Sequence, residues 1–291
     1  MSARFLFQLI FSLLVFILKR IQLIFGLLLS LICFEAYSAD SLKFISWNVF
    51  LRPAILNDNQ LERVQPIAEK IMELDPDIIV LQEVFHLKAR KKLIASLESH
   101  YPYFTTRGKR SWLGVSSGLL IMSKYPITHE QFKYFKKAKK ADAIAKKGFV
   151  TVNLRFKKRN VRILGTHLQA GSGKKIKVVR KSQLKQIASI IQSDSSNWIL
   201  AGDFNVERSS TEYKTLKALL GTKNQTPCSK LKASANFNNQ SLYPAEGKPK
   251  WIDFVLLRSK KWKHRRTMII SPKKGKKMIS DHAILLSTIT I

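Results

Sequence analysis

The chain has 291 residues, 45% of them hydrophobic, enough for one large core, and no shift of composition between residues 41 and 291 marks a second domain. Lysine and arginine total 51 against 19 carboxylates, a formal charge of +32, which points to an anionic partner: nucleic acid, acidic lipid headgroups or an acidic cell surface. Cysteine is limited to Cys33 and Cys228, and with Cys33 in an N-terminal export segment no disulfide can form within the rest of the chain.

Residues 1–38 read as that segment. Arg4 precedes an apolar run over 5–18, Lys19 and Arg20 interrupt it, and a second apolar run fills 21–34. Neither run reaches the roughly 20 residues that a spanning helix needs. Two cations, a short apolar stretch and the small residues Ala36 and Ser38 have the three-part layout of a secretory signal. The expectation is a secreted, periplasmic or extracellular protein whose catalytic domain spans residues 39–291. An uncleaved anchor over 5–34 is the alternative, leaving the same domain tethered to a membrane. Ile32 is too bulky to precede a lipidated cysteine, so Cys33 is not read as a lipid site. Setting aside Arg4, Lys19, Arg20 and Glu35 leaves +30 on the rest, gathered at 136–147, 157–159, 174–181, 260–266 and 273–277.

Residues 42–49 alternate into a first strand, and Leu61, Val64, Ile67, Ala68, Ile71 and Leu74 recur at helical spacing, with Pro66 early in the helix where its missing N–H costs least. Asp75-Pro76-Asp77 breaks that helix, and Ile78 to Leu81 is a buried β run ending at Gln82-Glu83. The pattern then predicts a helix over 87–97, a strand over 118–122, a hairpin of strands over 149–156 and 161–168, and a helix over 178–191. A strand over 198–202, a helix over 212–220 and strands over 251–257 and 283–291 complete the chain. Hairpins mixed with crossovers imply mixed sheets covered by helices, two such halves making a sandwich. Residues 105–117 and 222–250 lack periodicity and read as long loops of the kind that rim active sites.

Polar residues stand where the buried runs end. Asn48 follows Phe44 to Trp47, Glu83 follows Ile78 to Gln82, His167 follows Ile163 to Thr166, and Asp203-Phe204-Asn205 follows Ile199 to Gly202. Asp253 lies inside Trp251 to Val255, and Asp281-His282 precedes Ala283 to Leu285. Each charge in such surroundings is costly unless paired or bound to a metal. Hard oxygen ligands, amides and two histidines on one sheet edge are the set that hydrolysis of a phosphodiester uses, with an Asp beside His282 raising its basicity and fixing its tautomer. Zinc-finger spacing, a Gly-rich phosphate loop ending in Lys-Ser/Thr and a Gly-x-Ser-x-Gly elbow do not occur. His86, His100, His129 and His264 match no pattern and read as surface or packing histidines, Phe85 as core, and Trp112 as a loop aromatic that is either half-buried or free to stack on a ligand.

Trp47-Asn48, Gln82-Glu83-Val84, Gly165-Thr166-His167-Leu168, Gly202-Asp203-Phe204-Asn205 and Ser280-Asp281-His282 resemble, in order, the signature set of the endonuclease/exonuclease/phosphatase superfamily. Residues 147–150 and His167-Leu168-Gln169-Ala170 are most similar to its bacterial sphingomyelinase C and neutral sphingomyelinase branch. The resemblance implies a four-layer α/β/β/α sandwich of two mixed, mainly antiparallel sheets, DNase I-like. It implies a Mg²⁺-dependent phosphodiesterase, with Mn²⁺ or Co²⁺ as alternative metals, acting as a monomer on sphingomyelin at a membrane surface. A nuclease of the same fold, with nucleic acid as substrate, and another phospholipid or phosphoinositide hydrolase are the alternatives.

By that resemblance Glu83 is the central metal ligand, Asn48 assists at the metal or the scissile phosphate, and Asp281 is a metal-facing or supporting carboxylate. Asp203 and Asn205 orient water and stabilise the transition state. His282, held by Asp253, handles the proton on the attack side, and His167 contacts the phosphoryl oxygen or assists the leaving group. Which histidine is base stays open. Secreted bacterial members carry an acidic pair and an Asn for an edge metal where this chain has Gly114 to Ser117 and Leu87, so no edge site is expected. They also carry an aromatic hairpin where it has the basic segment 271–277, so electrostatic rather than aromatic attachment to a membrane is expected.

Overall fold

The computed structural model describes residues 40–193, 197–222, 228, 231, 233–235, 249–275 and 277–291; the expected signal or anchor over 1–38 and most of the expected 222–250 loop lie outside the described residues. In chain order the elements are β1 (Ser41–Leu51), α1 (Gln60–Leu74), β2 (Ile78–Val84), α2 (Leu87–Leu97), β3 (Tyr103–Phe104), β4 (Leu120–Ser123) and β5 (Ile127–Tyr134). There follow β6 (Gly148–Phe156), β7 (Arg159–His167), α3 (Lys174–Ile191), β8 (Trp198–Asp203) and α4 (Thr211–Leu220). The chain closes with β9 (Asp253–Arg258), β10 (Lys263–Ile270), β11 (Lys273–Lys274), β12 (Lys277–Met278) and β13 (Ile284–Thr290).

The strands form a six-stranded sheet ordered β10-β13-β1-β2-β4-β3 and a five-stranded sheet ordered β5-β6-β7-β8-β9. Side chains alternate across a strand, so one set of β1 and β2 residues faces each layer. Ile45, Trp47, Val49, Ile79 and Leu81 are buried with Val64, Ile67 and Ile71 of α1 and Leu93 and Leu97 of α2. Leu42, Phe44, Ile78 and Val80 join Val150 and Val152 of β6 and Ile163 of β7 in a second cluster that extends to α3 and α4. Helix, sheet, sheet and helix therefore stack as four layers, the expected sandwich. The sheets approach closely at Gly165, where a Cβ would lie 2.9 Å from Val80 Cγ1. Gly202 is required for its backbone: its φ of +149° is poorly accessible to L side chains, and a Cβ there would lie 1.9 Å from the Thr166 carbonyl oxygen.

Two strands depart from expectation. β5 and β10 are edge strands of their sheets. Their sequences, ITHEQFKY and KHRRTMII, carry polar residues where a central strand carries aliphatic ones. Charged edges discourage pairing with other chains, and the same charges hide the strand signal. The basic segment 271–277 contains β11 and the first residue of β12, which pair as a two-stranded ribbon, and Lys274 Nζ lies 2.9 Å from Glu69 Oε2 on α1. No helix among the described residues is long and apolar enough to cross a membrane.

β1 and β2 run parallel with Asn48 opposite Gln82, and β7 and β8 run parallel with His167 opposite Asp203. Parallel pairing brings C-terminal strand ends to one edge. β9 runs back against β8 and starts with Asp253 opposite Asp203. Thus residues scattered over more than 200 positions of chain meet at one rim of the sandwich.

Candidate active site

Asn48 sits between the two sheets. Its Nδ2 donates to Glu83 Oε1 at 3.1 Å and to Asp203 Oδ2 at 3.3 Å, while its Oδ1 accepts from Phe50 N. Glu83 has a left-handed backbone, φ 58°, uncommon for a residue with a side chain and typical of strained functional positions. Asn205 shares that conformation at φ 52°, its backbone N–H donating to Asp203 Oδ1 at 2.9 Å and its Nδ2 to the Leu168 carbonyl at 3.2 Å.

His282 is held on three sides. Its Nδ1 lies 2.9 Å from Asp253 Oδ2, Trp47 Nε1 donates to its carbonyl, and its own N–H donates to Ser280 Oγ. Asp253 Oδ2 also accepts from Ser234 Oγ at 2.6 Å. The free edge of the ring, Nε2, lies 3.8 Å from Asp203 Oδ2. Ligand atoms of Asp203, Asp253 and His282 all lie within 4.8 Å of one another, the one such group of three among the described residues.

The two imidazoles are driven in opposite directions. Burial alone would lower His282, but the carboxylates of Asp253, Asp281 and Asp203 override it and hold the ring well above the usual imidazole value. His167 is held well below it, first by burial and then by the Lys147 ammonium. His167 Nε2 lies 3.0 Å from Lys147 Nζ and 3.4 Å from Asp203 Oδ2. Asp203 is pushed up to about 7, chiefly by burial and by Asp253 beside it.

On the other side, burial raises Glu83, with the Asp281 carboxylate as the next cause, and burial raises Asp281 itself. Asp281 Oδ1 is buried without a hydrogen-bond partner among the described residues. Arg63 lies behind the site, donating to the carbonyls of Val49 and Ile279 and so tying the end of β1 to the segment before Asp281. Two electrostatically coupled, half-buried carboxylates, one with an orphaned oxygen, supply hard oxygen donors of the kind that a Mg²⁺-sized cation takes. Glu83 and Asp281 have the donor chemistry of the metal site expected of them, while Asn48 turns its NH₂ toward Glu83 and its Oδ1 to Phe50 N.

The structure therefore gathers all the site residues read from the sequence: Asn48, Glu83, His167, Asp203, Asn205, Asp253, Asp281 and His282. Sequence reasoning missed Lys147, Asp142 and Ser234. Lys147 was counted in a surface charge cluster, yet it is only 5% exposed and bonded to Asp142 at 2.7 Å. Its position one residue before the buried run of β6, the same strand-end signal that marked the others, could have found it. The four histidines set aside lie outside this cluster; His86 caps α2, accepting from Ala89 N. A cavity of about 830 Å³ opens over Glu83, Lys147 and His167.

Comparison with known proteins agrees with the motifs. Residues 45–282 match the Endonuclease/Exonuclease/phosphatase family, and the chain belongs to it. It is 34% identical over 208 residues to sphingomyelinase C of Leptospira interrogans, a match covering 63% of this chain and 37% of that protein. It is 27% identical over 245 residues to phospholipase C of Staphylococcus aureus, covering 74% of this chain and 72% of that one. The chain thus spans little more than a third of the first relative's length. Sphingomyelinase C from Streptomyces griseocarneus shares the fold, with a TM-score of 0.75 at 24% identity over 86% of this chain and 99% of its own.

Proposed function

From membership of this family and the geometry of its strand ends, we propose that the chain is an exported, monomeric, Mg²⁺-dependent phosphodiesterase that hydrolyses sphingomyelin to ceramide and phosphocholine. The observation that carries the reading is the arrangement of His282, backed by Asp253, with its Nε2 turned toward Asp203 and thence through Asn48 to Glu83. Its relatives named for sphingomyelin and phospholipid cleavage support the lipid as substrate.

In this reading a water held by Asp203 and the Asn205 amide attacks phosphorus, the ester P–O bond to the lipid breaks, and the leaving oxygen takes a proton from solvent water at the open cleft to depart as the ceramide alcohol. Asp253 accepts the His282 Nδ1 proton in a hydrogen bond, which fixes the ring; the surrounding carboxylates favour the protonated ring, and it is the neutral form, with Nε2 unprotonated, that accepts the proton of the water. Asp203, with its raised affinity for protons, shares that proton in the same buried cluster. Lys147 brings a fixed positive charge to the side of the cleft where His167 stands, stabilising charge that builds on the phosphoryl oxygens, and keeps His167 neutral. Glu83 and Asp281, with Asn48 beside them, would hold a Mg²⁺ ion, which when bound would supply the Lewis acidity that these side chains lack.

The test incubates the protein with Mg²⁺ and sphingomyelin vesicles, measuring phosphocholine, and in parallel with plasmid, measuring nicking. Phosphocholine release is expected. Nicking without it would instead assign the cleft to nucleic acid, the reading that the exposed lysine clusters favour.

A further inference from the structure

Three loops surround the mouth of the cleft, and their outermost side chains are apolar. Ile55 and Leu56 follow the end of β1 in a short turn, Ala54–Leu56. Trp112 and Leu113 crown a turn closed by hydrogen bonds between Ser111 and Val115 and from Gly114 N to the Ser111 carbonyl. Ile144 ends the turn Lys140–Ala143. Ile55 is 91% exposed and Trp112 88%, and Leu113 and Ile144 are exposed as well. The other four tryptophans of the chain, Trp47, Trp198, Trp251 and Trp262, are buried, so Trp112 stands outside the rule the fold otherwise follows.

These tips are not scattered. Ile55, Leu56, Leu113 and Ile144 line the cavity whose floor holds Glu83, Lys147 and His167. Apolar groups gathered around a functional cleft mark a surface that is covered in use. Between them stand cations: Arg107 and Arg110 line the same cavity, as does Arg52, which Asp58 engages, and Lys109, Lys140 and Lys146 are exposed beside it. The acidic side chains lining it are Glu83 on the floor and Asp142, which Lys147 already engages at 2.7 Å. Leu87 and Gly114, standing where an edge metal's ligands are absent from this sequence, line this rim too. Apolar tips set among cations match the boundary layer of an anionic bilayer, where phosphates meet the cations and acyl chains receive the tips. A nucleic acid would satisfy the cations but leave Ile55, Leu113 and Ile144 uncovered.

We propose that this rim seats the cleft on an anionic phospholipid bilayer, with Ile55, Trp112, Leu113 and Ile144 inserted and the flanking arginines and lysines on the headgroup phosphates. The proposal deepens and rests on the reading of the cleft as a lipid phosphodiesterase, whose floor it holds against the surface that carries its substrate. It also changes the expectation of attachment by the 271–277 lysines alone: Lys274 of that ribbon is engaged by Glu69, and apolar insertion is added at a different place.

Trp112, as the one exposed tryptophan, reports directly. The full chain is titrated with vesicles of phosphatidylcholine and of phosphatidylcholine with phosphatidylserine, both lacking sphingomyelin, so binding is read apart from hydrolysis. Expected are a blue shift of tryptophan emission on the anionic vesicles, quenching by brominated acyl chains, and binding that survives high salt in part. Trp112→Leu keeps the binding and loses the shift. Ile55→Asp with Leu113→Asp lowers vesicle partitioning by at least about tenfold. Because these side chains are exposed, an unchanged thermal midpoint checks that the variants fold. No binding, binding abolished by salt without quenching, or a Trp112 response to single-stranded DNA but not to vesicles would overturn the proposal. Vesicle binding without phosphocholine release in the sphingomyelin assay would sink the substrate reading and leave the docking face standing.

Discussion

Replacing Asp253 by Asn probes the proton-handling pair with the least change of shape. Asp253 Oδ2 receives two donors, His282 Nδ1 at 2.9 Å and Ser234 Oγ at 2.6 Å, while Oδ1 is buried without a partner among the described residues. The amide can keep both bonds only by turning its oxygen to that side, which places the NH₂ where Oδ1 now lies, buried and unpaired. That costs about 1–3 kcal/mol of stability. The negative charge is lost as well, so His282, held high first against burial and chiefly by Asp253, falls toward a lower value, and Asp203, raised in part by Asp253, falls from about 7. Proton transfer by a positioned group contributes roughly 10²–10⁴ in rate. We therefore expect kcat on a soluble phosphodiester to drop by about that factor with KM nearly constant, and the acidic limb of the pH profile to move to lower pH. A loss below about tenfold, with the acidic limb in place, would refute the assignment of His282 and Asp253 as a working pair.

Further consequences concern other parts of the molecule. Lys147→Met removes the ammonium beside His167, so the His167 pKa, read by NMR of the imidazole, should rise toward its ordinary value while kcat falls about 10- to 100-fold. Mg²⁺ at about 100 times its Kd should stabilise the native state by about 2.7 kcal/mol. For a chain of this size that is a rise of about 5–10 °C in Tm, and Glu83→Gln should abolish the rise. His264 lies outside the site, and burial holds it down to about 4 against the opposing hydrogen bond to Val255. The unfolded chain takes up its proton near 6.5, so stability present above that value drains as pH falls toward about 4, by on the order of 3 kcal/mol. His264→Phe should flatten denaturation curves across that window.

How much of this was legible depends on where burial leaves a trace. Runs such as Ile78 to Leu81 and Ile199 to Ala201 are buried on both faces, and their uniform aliphatic character announces central strands. The polar residues that end them, Glu83, His167 and Asp203, stand out for the same reason. β5 and β10 sit at sheet edges, where one side meets solvent and charge is tolerated, so KHRRTMII reads as a basic cluster before it reads as a strand. α3 begins at Lys174, four residues before Val178 where the expected helix started, because its first turn buries only Ile176 among Lys174, Lys175 and Lys177, too little to show a period. Lys147 was hidden by its neighbours: in a run of exposed lysines only its place just before the buried run of β6 distinguishes the one whose ammonium is buried. Ser234 lies in a loop without periodicity, and only the fold places it against Asp253.

The central claim is that a metal-dependent phosphodiesterase centre lies where the strand ends meet. The most direct measurement is turnover of bis(p-nitrophenyl) phosphate by the wild-type chain and by His282→Ala, with Mg²⁺, after EDTA, and after Mg²⁺ is restored. Turnover should vanish with EDTA, return with Mg²⁺, and be lost in His282→Ala under every condition while that variant keeps its Mg²⁺-dependent rise in Tm. Turnover that survives EDTA, or that persists in His282→Ala, would contradict the account.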